Sequence, residues 1–106
     1  MDKVEVYGIS CGKEGIIKMF ERIIQYGLVD IDVENRASFL DDMLKSTEDK
    51  LRYAIQKLEE NDVDTARFVI KDGTGVLIVK IEDVITIRAT IKEYKKFIED
   101  FRLVTD

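Results

Sequence analysis

The stretch TARFVIKDGTGVLIVKI, Thr65 to Ile81, decides how this chain is read. Two β-rich runs, TARFVIK and GVLIVKI, flank Asp72-Gly73-Thr74-Gly75. A short Asp-Gly turn between such runs predicts an antiparallel hairpin, because Asp and Gly tolerate the positive φ of a tight turn. The run VLIV is apolar on both faces and predicts a central or doubly covered strand. Glu82-Asp83 then interrupts the pattern as a bulge or a turn, and VITIR, Val84 to Arg88, resumes it. Residues 76–88 therefore read as one bulged strand or as two strands.

Upstream, KVEVYGI (Lys3 to Ile9) alternates, with Val4 and Val6 on one face and Lys3, Glu5 and Tyr7 on the other. Ser10 stands where it could cap a following helix. Ile16, Ile17, Phe20, Ile23 and Ile24 have helical spacing, and Gly27 is a helix stop. LVDIDVEN (Leu28 to Asn35) alternates again, with Val29, Ile31 and Val33 opposite Asp30, Asp32 and Glu34. From Ser38 to about Asn61 the spacing is helical, with Leu40, Met43, Leu44, Leu51, Ala54, Ile55 and Leu58 as its stripe. Ser46 with Asp49 resembles a capping box, so this segment is one helix or two that break near Lys45. Thr90 with Glu93 resembles another, ahead of a last helix carrying Ile91, Tyr94, Phe97, Ile98 and Phe101.

The predicted order is β-α-β-α-β-β-(β)-α. The βαβ opening predicts a crossover with its first two strands parallel, so the sheet is expected to be mixed, of four to five strands with flanking helices. With 106 residues and no visible linker or repeat, residues 1–106 read as a single α/β domain.

Composition narrows the function classes. The formal net charge is −5 and no basic stripe is visible, which argues against nucleic acid as a partner. There is no histidine, which removes histidine bases and serine–histidine triads. A single cysteine excludes an internal disulfide and four-cysteine zinc sites. No apolar run reaches membrane-spanning length, no signal peptide is read, and a free thiol then predicts the cytoplasm. The charged fraction of 37% is compatible with a thermophile source. No cofactor motif is present. Asp30, Asp32 and Glu34, with Asp41 and Asp42 nearby, offer oxygen ligands, but no glycine-shaped loop accompanies them, and they read as the charged face of an edge strand rather than a metal site.

YGISCGKEGI, Tyr7 to Ile16, holds the only cysteine and three of the six glycines. It is not a P-loop: three residues rather than four separate Gly8 from Gly12, and Glu14 stands where the hydroxyl ligand belongs. Cys11 falls near the start of a helix, where terminal amides and Lys13 would stabilise a thiolate. Gly12 and Gly15 would leave that thiol uncrowded. The alternative is a small buried residue beneath the helix.

The loop VEVYGISCGKE, the acidic strand VDIDVEN, the hairpin VIKDGTG and the closing IKEYKKFIEDF together resemble the thioredoxin/glutaredoxin family, over about Lys3 to Phe101. The resemblance implies thiol chemistry at Cys11 as nucleophile, with Lys13 as thiolate stabiliser. Ser10, Gly12, Thr65 and Ala66 then stand where the partner would bind, Thr65 and Ala66 in the region of the family's cis-proline. The family's C-x-x-C reads Cys11-Gly12-Lys13-Glu14, with no second cysteine and no proline anywhere. Such a chain can form only a mixed disulfide, with a protein partner or a glutathione-like thiol, and enzymatic turnover is left open. The second half, roughly Asp64 to Phe101, is also similar to roadblock or longin-type adaptor domains. That likeness implies a non-catalytic interaction module and a homodimer.

Overall fold

The computed structural model describes residues 3–40 and 44–105. In chain order its elements are β1 (Glu5–Ser10), α1 (Lys13–Glu21), β2 (Leu28–Asn35), α2 (Thr47–Glu60), β3 (Thr65–Lys71), β4 (Thr74–Ile81), β5 (Ile85–Ile91) and α3 (Tyr94–Phe101). A short 3-10 turn, Ile23–Tyr26, follows α1.

The hairpin forms as read. Asp72 (φ 53°) and Gly73 (φ 77°) both take positive φ, the geometry that lets a two-residue turn match the twist of its strands. That turn sets the register, so Lys71 pairs with Thr74 and Arg67 with Ile78. Glu82-Asp83 is a second turn, with Glu82 at φ 53°, and residues 76–88 belong to two strands. The run VLIV lies in the middle strand of five, in the order β1-β3-β4-β5-β2.

Every ladder is antiparallel, so the sheet is not mixed. The parallel β1–β2 pair predicted from the βαβ opening does not form. β1 pairs with β3 and β2 pairs with β5, which puts them on opposite edges. The two do run in the same direction, as four successive antiparallel neighbours require, but the β3-β4-β5 meander fills the space between them.

All three helices pack on one face. Ile16, Met19 and Phe20 of α1, Leu51, Ala54 and Leu58 of α2 and Phe97 of α3 share a core with Phe68, Leu77, Val79, Ile87, Ala89 and Ile91 of the sheet. The aromatic centre is tight: the Phe68 and Phe97 rings lie 4.6 Å apart, and Tyr26 meets Phe97 edge-on at 5.3 Å. Gly75 lies beneath this group, where a Cβ would run into the Phe68 ring and approach Tyr94 Cβ at 2.8 Å.

Several boundaries differ from the sequence pattern. β1 turns Tyr7 and Ile9 toward the helices, whereas Val4 is half exposed. Ser10 caps nothing, because it is a strand residue paired with Thr65; the N-cap of α1 is Gly12 without a side-chain bond. Thr90 is likewise a strand residue, paired with Val76 and Asp30, and α3 begins after Glu93. The Ser46 cap is real: its hydroxyl accepts from the Asp49 N–H at 3.0 Å, and α2 starts there rather than at Ser38. Met43, Asp41 and Asp42 lie outside the described residues. Gly27 stops the 3-10 turn at φ 71°. Among the described residues, no helix is long and apolar enough to cross a membrane.

Candidate functional site

The end of β1 brings most of the predicted site residues together. Ser10 pairs with Thr65 and Ile9 with Ala66. The Cys11 N–H donates to the Asp64 carbonyl at 2.9 Å. Gly12 and Lys13 follow as the cap and first residue of α1. A Cβ placed on Gly15 would touch the Cys11 Sγ at 3.0 Å, so the sulfur folds back over the first helical turn. Gly12 opens onto free space.

This geometry does not build a thiolate. Cys11 is half-buried and packs against the core. Burial pushes its thiol pKa up, and the nearby Asp64 carboxylate pushes it further in the same direction. Lys13 makes no ion pair or hydrogen bond with it.

A second feature of the same region was not singled out by the sequence pattern. Among the described residues, no element covers the face of the sheet turned away from the helices. Its positions follow from the registers. Gly8, Arg67, Ile78, Arg88 and Asp32 form one row across the five strands. Val6, Val69, Val76, Thr90 and Asp30 form the next. Lys80, Thr86 and Glu34 begin a third. A shallow groove of about 590 Å³ runs along this face, with Ser10, Thr65, Arg67, Ile78, Lys80 and Arg88 on its walls. Ala66 also borders it, so three of the four residues predicted to meet a partner lie here, while Gly12, Cys11 and Lys13 do not.

Its electrostatics are polarised. Arg67, Lys80 and Arg88 surround Ile78, and β2 supplies Asp30, Asp32 and Glu34 at one edge. The Arg88 guanidinium reaches Asp32 at 3.6 Å, and Arg36 reaches Glu34 at 4.0 Å, all with exposed side chains. Arg67 and Lys80 have no ion-pair partner among the described residues. No group of three metal-ligating side chains is found among the described residues, so Asp30, Asp32 and Glu34 line a strand without converging.

The site and fold together define a two-layer α/β domain with an uncovered, charge-polarised sheet face. No family model, curated protein or solved structure matches the chain.

Proposed function

We propose that this chain is a non-catalytic protein-interaction domain, and that its contact surface is the open face of the sheet. One observation carries the reading. Leu77 and Val79 are fully buried on one side of β4, while Val76 and Ile78, pointing the other way, remain partly exposed with no helix above them. A solvated sheet face is ordinarily polar. Here its centre is aliphatic, with cations around it, the composition of a surface made for contact.

The occupant that fits this chemistry is an acidic segment of a partner polypeptide. Arg67, Lys80 and Arg88 present positive charge locally on a chain whose net charge is −5. Their stems can lie along Ile78 while their heads meet carboxylates.

Thiol exchange at Cys11, with a protein or glutathione-like thiol, is the competing reading, and with it a thioredoxin-like ancestry. The place of Cys11 directly after Ser10, where β1 pairs with Thr65, favours it. The raised thiol pKa and the half-buried sulfur count against it.

Titration of the isotopically labelled chain with a glutamate-rich peptide separates the two. Amide shifts should gather at Arg67, Ile78, Lys80 and Arg88, weaken as salt rises, and fade in an Arg67→Glu/Lys80→Glu variant. Silence at these amides, together with thiol transfer abolished by Cys11→Ser, would reverse the choice.

A further inference from the structure

We infer that the partner is a second copy of this chain, docked face to face through the open sheet. The inference rests on the reading of that face as the contact surface and says what covers it. Both halves of a charge-complementary pair already stand on it: cations on β3 and β4, carboxylates on β2. A surface that carries both members can be its own partner under two-fold symmetry.

Charge also selects the axis. A two-fold axis lying in the interface perpendicular to the strands sets each strand over its own copy. Asp32 would then approach Asp32, and Arg67 would approach Arg67. An axis parallel to the strands, running between β4 and β5, lays β3 over β2 of the second copy and β4 over β5. Rows stay over their own rows in this arrangement. Arg67 meets Asp32 of the second copy, Ile78 lies under the aliphatic stem of Arg88, and Val76 lies over Thr90. Opposite charges meet where Arg67 faces Asp32, and the aliphatic Ile78 and Val76 are covered by the Arg88 stem and by Thr90. Sheets packed this way align within about 30°, a rotation that their twist supplies.

The footprint sets the strength. Four overlapping strands at ~4.8 Å spacing, each of about seven residues at ~3.4 Å, cover about 450 Å² in projection. That is below the ~800 Å² per partner of a standard interface. Association is therefore of the weak class, dependent on concentration and on salt.

Sedimentation of the full chain from about 10 µM to about 1 mM spans the range in which a weak dimer dissociates. The mass should rise toward two chains and fall back as salt is added. Arg67→Asp and Asp32→Arg should each weaken association at least tenfold, and the two together should restore it. Both positions are at the surface, and circular dichroism verifies that the variants fold. Dimerisation unaffected by either change, or not restored by the pair, overturns the strand-parallel arrangement. A chain that stays monomeric yet shows glutamate-peptide shifts on β3 to β5 overturns the second copy and leaves the interaction reading standing. A monomer that also ignores the peptide overturns both.

Discussion

At Cys11 the fold disfavours the thiolate. Burial and Asp64 raise its pKa, so the folded chain keeps that proton to higher pH than the unfolded chain does. The stability this contributes is present below the unfolded thiol pKa, near about 8.5, and is lost as pH rises through the folded value. Alkylation followed against pH should show a higher midpoint in the folded chain than in urea. Cys11→Ala should flatten the alkaline fall in stability. An equal or lower folded midpoint would restore the thiolate reading. Gly75 makes a different demand. The Phe68 ring and Tyr94 occupy the space its side chain would need, so Gly75→Ala should cost about 1–3 kcal/mol in urea melts. Arg102 ends α3 at φ 54°, in the left-handed region. Glycine adopts this conformation without a Cβ penalty, so Arg102→Gly should leave stability unchanged or raise it by up to ~1 kcal/mol.

Elements were legible where a local rule had only one reading. The Asp72-Gly73 turn fixes its own register, and pairing outward from it puts Arg67 opposite Ile78 without any structure. Half of the basic groove was thus within reach of the sequence. Arg88 was not, because its place beside Ile78 depends on the length of the turn at Glu82 to Val84, which alternation does not define. The inner face of β1 stayed open for a related reason. The segment offers apolar residues to both faces, Val4 and Val6 to one and Tyr7 and Ile9 to the other, and a period of two does not say which face is inside. Capping boxes behaved alike. Ser46-Asp49 and Thr90-Glu93 share one spacing, but only Ser46 precedes a helix, since the Thr90 backbone is committed to a strand. Ser46→Ala should therefore cost about 1 kcal/mol of stability. Thr90→Ala should show no capping loss, and chemical denaturation of the two variants makes the comparison.

For the whole molecule, the sequence conveyed the order of elements but not their arrangement in the sheet. The first crossover is ordinarily read as joining neighbours. Here it spans the full width of the sheet, and only long-range pairing determines that. The last helix is anchored by Phe97, fully buried between Phe68 and Phe101 with ring separations of 4.6 and 4.8 Å. Phe97→Ala should destabilise the domain by about 3–5 kcal/mol in thermal or urea unfolding. A smaller loss would mean that Phe97 does not anchor α3 to the sheet. The edge positions of β1 and β2 matter to a ribosome. Each has its only long ladder with a strand made later, β3 for one and β5 for the other. A nascent chain that has emerged only as far as Glu60 holds two strands with nothing to pair against. The five-stranded sheet can assemble only after the β3-β4-β5 meander is out, and β1 and β2 must wait for it.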